Sequence, residues 1–579
     1  MNIRILKFWL TFQTVIYSIA TYACTNYLVT KSASIDGSTM VSYAADSHIR
    51  YGELYFRPRG KWPAGSMITL YDRGTNKPLG QIPQPTETYQ VIGFMNEFQV
   101  AIGETTFGGI KELRDSTAIV DYGSLMFLAL QRAKTAREAI KVMVELVEQY
   151  GYASSGESFS IGDPNEVWIL EMIAKKTNLK YDKRLKKKIN VDKGAVWVAV
   201  RIPDGYISAH ANQARIQTFP LENLRNSISS KNLNLIFNPE VEVVYSHDVI
   251  EYARKNGYYQ GTDNEFSFSD VYNPITFEGT RFCDARVWAF FNHAADGMKK
   301  YWDYAKGENL KNRMPLYIKP NRKLSVRDLM NFKRDHLEGT ELDMSKDVGA
   351  GPHGLPYRWR PLTWDIDGTT YFHERVTATQ QTGFSFIAQM RSWLPNPIGG
   401  IFWFGVDDAA STVYVPIYCG INRIPESYAE GNGDMLTYSP TSAFWIFNRV
   451  AHFAYLRYDL IIEDIKKVQS ELESKFIAYT PAVDAAAMKL YDTNPNLAIE
   501  FLTDYSVNTA NATVQKWNDL SNYLLVKYID GNVKKEKNGK FERNPWGFPA
   551  SPSQPGYREE WLRTIINETG NKFKEPNNN

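Results

Sequence analysis

Cys24 stands in the stretch Thr21-Tyr22-Ala23-Cys24-Thr25-Asn26-Tyr27-Leu28-Val29, directly after residues laid out like a removable leader. A signal peptidase cut before it would leave Cys24 with a free α-amine beside its thiol. A thiol ionises near roughly 8.5 and an α-amine near roughly 7.7 to 8.0, so at neutral pH the amine is often unprotonated and can take the thiol proton. Nucleophile and base would then be one residue, which is a route to covalent catalysis.

Other site chemistries find less support. The eight histidines are scattered, and His373-Glu374 lacks the second histidine four residues on that a zinc helix requires. Gly151 to Ser158 has the glycine spacing of a phosphate loop, but Glu157 sits at the lysine position and would repel phosphate. Asp365-Ile366-Asp367-Gly368 is a fragment of a calcium loop without its other ligands and reads as a turn. There is no Gly-x-Ser-x-Gly elbow. The chemistry expected at Cys24 uses no metal and no cofactor.

Residues 1–23 carry Arg4 and Lys7, then an apolar run from Phe8 through Ile19, then the small residues Ala20 and Ala23. This is the layout of a secretory signal peptide, too short and interrupted for a spanning helix. An exported protein, periplasmic or secreted, with no stable membrane span after processing is expected. A lipoprotein leader also ends just before a cysteine, but Thr21 stands where an aliphatic residue is usual and Tyr22 where a small one is. Acylation there would abolish the chemistry of Cys24. Sixty-six basic residues balance sixty-four acidic ones with no sustained basic stripe, which argues against a nucleic-acid partner. With 43% hydrophobic residues among 579, a large core is expected. Cys283 and Cys419 could form one disulfide, which spacing does not show.

The elements that must position Cys24 begin with a hairpin. Thr25 to Lys31 and Thr39 to Ala44 read as strands about the Asp36-Gly37 turn, so Asp46 should come near Cys24. Gln90–Phe94 and Phe98–Ile102 read as a hairpin joined by Met95-Asn96-Glu97. Ser124 to Tyr150 reads as one helix with a Thr135-x-x-Glu138 capping box, stopped by Gly151. Strands are expected at Ser158–Gly162, Val167–Ile173, Ala195–Ile202 and Tyr206–His210, the last two flanking the turn Pro203-Asp204-Gly205. Residues 215–380 read as long loops and short helices decorating the core. Strand composition returns at Phe384–Met390, Ile401–Phe404 and Thr412–Ile417. From Ser442 the pattern is helical, punctuated at Pro481 and at Asn494-Pro495. The class is α+β, with antiparallel sheets between helical layers.

The blocks around these elements resemble one family. Cys24-Thr25-Asn26-Tyr27-Leu28-Val29-Thr30-Lys31 with Asp36-Gly37-Ser38-Thr39 and Asp46-Ser47-His48 is similar to the mature N-terminus of the dipeptidase A family, which belongs to the N-terminal-nucleophile (Ntn) hydrolases. Gly156–Ile161, Val198–Asp204, His210–Ile216, Arg391–Gly400 and Trp403–Ala409 resemble further blocks in the same order. The resemblance implies a four-layer αββα sandwich over 24–440, with an insertion at 215–380 and a C-terminal helical region at 441–579. It also implies hydrolysis of a dipeptide through a thioester on Cys24. Asn96 and Asn212 are the expected oxyanion donors, and Asp46 the carboxylate beside the nucleophile. Related amide hydrolases commonly carry an arginine three residues before that aspartate, where this chain has Tyr43. A dipeptide's ammonium needs a carboxylate, for which Glu104, Glu157, Asp407 and Asp408 are candidates. An amidase for N-acyl amino acids and a lipid-anchored binding protein are the rival readings, and a homo-oligomer is compatible with all three.

Overall fold

The computed structural model describes residues 23–576, so the expected leader lies outside it apart from Ala23. The chain is α+β, built on two large sheets. Strands are numbered here in chain order: β1 Ala23–Val29, β2 Thr39–Asp46, β3 Ala101–Gly108, β4 Gly156–Gly162, β5 Val167–Ala174, β6 Ala195–Arg201, β7 Ile207–His210, β8 Thr382–Met390, β9 Ile401–Val406 and β10 Val415–Tyr418. The seven-stranded sheet runs Tyr317–Ile318, β7, β1, β2, β8, β9, β10. The nine-stranded sheet contains β6, β5, β4 and β3 in that order, with shorter strands at either side. Nearly all neighbours are antiparallel; Ser227–Ser229 beside Val243–Tyr245 is a parallel pair.

The sheets pack face to face, β1 and β2 against β3 and β4. A Cβ added to Gly103 of β3 would lie 2.8 Å from Asn26 Nδ2 and 3.1 Å from Tyr43 Cβ, which shows how closely the layers meet. Asn26 is the staple between them. With its amide oxygen turned to Ser160 Oγ, it also accepts from Glu104 N at 3.0 Å and donates to Glu104 O at 3.2 Å. Every residue of β2, β5 and β8 is buried, because each strand is covered on both faces. That is why the Val167-Trp168-Ile169-Leu170 run is continuously apolar instead of alternating.

Helices cover the outer faces. α1 Tyr122–Leu130 and α2 Ala136–Tyr150 lie on the nine-stranded sheet, and α5 Ala443–Leu456, α6 Tyr458–Thr493 and α7 Pro495–Tyr528 lie on the seven-stranded one. Between them in sequence, α3 Ala285–Ala294 and α4 Val326–Phe332 lie on strands β7 and β8. The single helix expected over 124–150 is two. Asp121 caps the first through Ser124 N and Thr135 caps the second through Glu138 N, so a loop intervenes at residues 131–135. Gly151, at φ 78°, ends the second.

Two further expectations are corrected, and one open question is settled. The segment Pro203-Asp204-Gly205 does not close a hairpin, because β6 belongs to one sheet and β7 to the other. Pro481 lies inside α6 without ending it; the helical run breaks at Arg457, where φ is −151° and ψ 67°. Cys283 and Cys419 are both free and buried, with Cys419 Sγ against Asn396 O at 3.1 Å. The C-terminal helices are a layer of the same body. Tyr418 OH donates to Asp484 of α6 at 2.8 Å, Arg391 pairs with that carboxylate, and one hydrophobic core runs from Cys24 to Leu524.

Candidate active site

Cys24 is the second residue of β1, its Cα opposite Ala45, with Ala23 opposite Asp46. The hairpin thus brings Asp46 beside the start of β1. The nitrogen of Cys24, here still joined to Ala23, stands in for the α-amine of a chain beginning at Cys24. It donates to Asn212 Oδ1 at 2.9 Å. Asn212 follows β7 in the left-handed region, φ 65°, which asparagine tolerates better than most residues. Its Nδ2 donates to Thr106 O at 2.7 Å. That leaves one Nδ2 hydrogen without an acceptor among the described residues.

Arg286, fully buried in the first turn of α3, locks this arrangement. Nη1 donates to Cys24 O and Thr25 Oγ1, both at 2.7 Å, and Nη2 to Ala211 O at 3.0 Å and Asn212 Oδ1 at 3.1 Å. Lys333, just beyond α4, donates to Thr25 O and lies 4.4 Å from the Tyr27 ring centroid. Residues 215–380 therefore build the site, and decoration is the wrong description. The signal in the sequence was a charge set inside an apolar run, Ala285-Arg286-Val287-Trp288.

The thiol is enclosed. Cys24 Sγ lies 3.7 Å from Tyr43 OH and 3.8 Å from Glu104 Oε1, and Tyr43 OH donates to Glu104 Oε1 at 2.5 Å. Burial pushes the thiol well above its ordinary range, and the carboxylates of Glu104 and Asp46 add to this. The Asp46 backbone N–H and the Tyr43 hydroxyl work the other way. Burial also raises Glu104, while Tyr43, Arg73 and Arg50 favour its charged form. Positive charge therefore reaches this side from Arg73 and Arg50, behind Glu104, and Tyr43, where the family resemblance implied an arginine, donates a hydrogen bond instead.

Burial pushes the Asp46 carboxyl up to about 7 against the pull of Thr382, Arg286, Arg375 and Lys333. Thr382 Oγ1 donates to Asp46 Oδ1 at 2.7 Å, and Oδ2 has no partner. Burial pushes Lys333 down to about 7.

The structure places the remaining candidates differently. Asn96 is a loop clamp: Nδ2 donates to Leu130 O and Ala133 O, both at 2.7 Å, and Oδ1 accepts from Phe98 N and Val100 N at 3.0 Å. No hydrogen is left for an oxyanion, so the donor role expected for Asn96 is corrected. Its segment is also a strand, Met95–Asn96, and not a turn. Glu157 joins Glu104: Thr106 Oγ1 donates to Glu157 Oε1 at 2.7 Å, and burial with the Glu104 charge raises it well above the carboxylate range. Glu104 Oε2 and Glu157 Oε2 are both buried and unpartnered. Asp407 and Asp408 follow β9. Asp408 accepts from Ala410 N at 3.0 Å and Tyr455 OH at 2.9 Å, which are turn and helix contacts. Asp407 accepts from Asn448 at 2.9 Å, and burial pushes it up to about 8, so it is a poor ammonium partner at neutral pH.

The arrangement can hold a nitrogen on Asn212, a thiol beside a hydroxyl and carboxylates, and buried cations around the next carboxylate. The family model of Peptidase family C69 matches residues 23–59 and 62–471. A probable dipeptidase of Latilactobacillus sakei is 25% identical over 528 residues, covering 88% of this chain and 95% of that one. A probable dipeptidase B of Lactococcus lactis subsp. lactis is 23% identical over 526 residues, covering 87% and 95%. A probable dipeptidase of Salmonella dublin is 25% identical over 448 residues, covering 72% and 86%. With most of its length matched from the strand that holds Cys24 to the helix that holds Asp464, the chain belongs to peptidase family C69 and is a hydrolase of peptide bonds.

Proposed function

We propose that this peptidase is an exported dipeptidase of the Ntn class whose nucleophile is Cys24, made the N-terminus by removal of residues 1–23. The observation that carries the reading is the 2.9 Å contact of Cys24 N with Asn212 Oδ1, fixed by Arg286, on the residue whose thiol adjoins Tyr43 and Glu104. Two antiparallel sheets between helical layers, with Cys24 on a central strand, are the arrangement expected of that class.

Before cleavage the thiol has no cation of its own, and burial with two carboxylates holds it protonated. Cleavage supplies an amine on the same residue. That amine, held by Asn212 Oδ1, takes the thiol proton, and the ammonium so formed stabilises the thiolate. The thiolate adds to the scissile carbonyl. The tetrahedral oxyanion accepts the second Nδ2 hydrogen of Asn212, a contact of the kind whose loss costs about 2.7 to 4 kcal/mol. As the C–N bond breaks, the ammonium returns its proton to the leaving amine. Water, deprotonated by the same amine, then attacks the thioester and releases the first amino acid. The substrate's ammonium fits the unpartnered oxygen of Glu104, whose charged form Tyr43, Arg73 and Arg50 favour, and this suits a free amino end over an acylated one.

The test is the intact mass of protein recovered from its native host, with dipeptide turnover by wild type and Cys24→Ala. A mass beginning at unmodified Cys24 and a loss of at least about 1,000-fold in kcat for the variant are expected. An active preparation that retains the leader, an acylated Cys24, or an active Cys24→Ala protein would overturn the reading.

A further inference from the structure

Arg375 is a buried cation that the fold leaves without a partner. It is 6% exposed, and it makes no hydrogen bond or ion pair among the described residues. Nε and Nη2 are the unsatisfied buried atoms. Those two N–H groups lie on one edge of the guanidinium and form the fork that a carboxylate accepts side-on. Its neighbour in sequence, Glu374, is committed elsewhere, to Arg281. Asp46 and Cys283 meet the Arg375 charge only at a distance, without an ion pair, and a buried ion left so costs stability that a bound carboxylate would offset. Burial with the charges of Arg286 and Arg360 pushes Arg375 down to about 9 against the pull of Cys283 and Asp46.

The guanidinium borders a cavity of about 20 Å³, which Arg360 and Thr379 also line. That is room for one small polar group. The cavity wall leads to the candidate nucleophile in few steps. Thr382 Oγ1 lies 2.9 Å from Thr379 O and 2.7 Å from Asp46 Oδ1. Asp46 ends β2 opposite Ala23, and its backbone N–H meets the Cys24 thiol. Gln381 joins the same wall to the hairpin, its carbonyl accepting from Ser47 N at 2.8 Å and its side-chain oxygen from Arg360 Nε. Gln381 Nε2 is a further buried donor without an acceptor. Unpartnered carboxylate oxygens lie on the Tyr43 side of Cys24, at Glu104 and Glu157, and the unpartnered donors of Gln381 and Arg375 lie on the Asp46 side. A zwitterionic dipeptide has the complementary charge at each end.

We propose that Arg375 is the specificity-determining residue that receives the free C-terminal carboxylate of the dipeptide, restricting the enzyme to substrates that end one residue after the scissile bond. This rests on the dipeptidase reading above. A tripeptide would place a neutral peptide group against the fork and leave the charge unmatched.

The experiment compares a dipeptide, its C-terminal amide and the corresponding tripeptide on wild type, Arg375→Met and Arg375→Lys, with unfolding midpoints measured for all three proteins. Wild type is expected to prefer the free dipeptide over the amide by about 100-fold in kcat/KM, chiefly through KM. Arg375→Met should reduce that preference to within about threefold by losing the dipeptide alone, and Arg375→Lys should restore part of it. The midpoint of Arg375→Met should be unchanged or higher, whereas a structural arginine would lower it. Equal loss on dipeptide and amide, or a variant that keeps the preference, overturns the proposal. Should Arg375→Met not fold, inhibition of wild type by the free product amino acid and by its amide decides the matter: equal inhibition overturns the carboxylate anchor. Wild type that hydrolyses none of the substrates would instead sink the dipeptidase reading.

Discussion

Tyr43 holds the Cys24 thiol and Glu104 together through its hydroxyl. It donates to Glu104 Oε1 at 2.5 Å and lies 3.7 Å from Cys24 Sγ, while its ring packs edge-on against Phe94, Phe384 and Phe386. Tyr43→Phe keeps the ring packing and removes one hydrogen bond to an ionised group, worth about 1.5 to 3 kcal/mol. The mature variant is expected to show a thiol that titrates higher, read from the pH dependence of iodoacetamide alkylation, and kcat about tenfold lower with little change in KM. An unchanged alkylation profile would remove Tyr43 from the thiol's electrostatics. Cys24, Asp46 and Asn212 were legible at this scale because each lies in a distinctive block. Lys333 and Arg375 were not, and Arg286 showed only as a charge inside an apolar run, because the partner of a buried cation lies far along the chain.

Two elements from different sheets make the pocket, and the spacing between them is set by a glycine. Gly103 of β3 faces Asn26 and Tyr43, and the residue after it is Glu104. Alanine at 103 would bring its Cβ to 2.8 Å from Asn26 Nδ2, so either the Asn26 staple breaks or the sheets part. Both outcomes move Glu104 relative to the thiol. Gly103→Ala is expected to lower kcat/KM by at least about tenfold while unfolding at a midpoint only a few degrees lower, consistent with overpacking of about 1 to 3 kcal/mol. Full activity in a folded variant would show that sheet spacing does not position Glu104. Strand identities were legible here, but which sheet received β6 and β7 was not. A three-residue turn can close a hairpin or cross between layers, and local turn chemistry is the same in both.

At the scale of the whole molecule, the fold carries buried carboxyls held far above their unfolded values, and stability should record them. Asp407 rises from 3.8 to about 8 through burial and the charge of Asp408. The folded state therefore binds a proton that the unfolded chain has lost between about pH 4 and pH 8. Its contribution is present in full below pH 4 and is lost as pH rises towards 8. Asp407→Asn keeps the acceptor for Asn448 and suits the left-handed backbone at φ 66°. The unfolding free energy of the variant should pull ahead of wild type as pH rises from 5 to 8, by an amount on the order of a few kcal/mol. A constant gap between the two proteins would show that Asp407 titrates alike in both states.

The sequence by itself determined the α+β class, the first hairpin about Asp36-Gly37 and most of the strands. These follow from short-range rules: turn residues and apolar runs. Only the tertiary structure decided that Asn96 is committed to backbone carbonyls, that Asn212 holds the Cys24 nitrogen through its oxygen, and that Pro481 is tolerated within a helix. It also decided that Arg286 reaches Cys24 across 262 positions. A hydrogen bond between residues 24 and 212, or 24 and 286, depends on how two sheets and a helix stack. That stacking is fixed by burial summed over the whole core, to which no single window of sequence gives access.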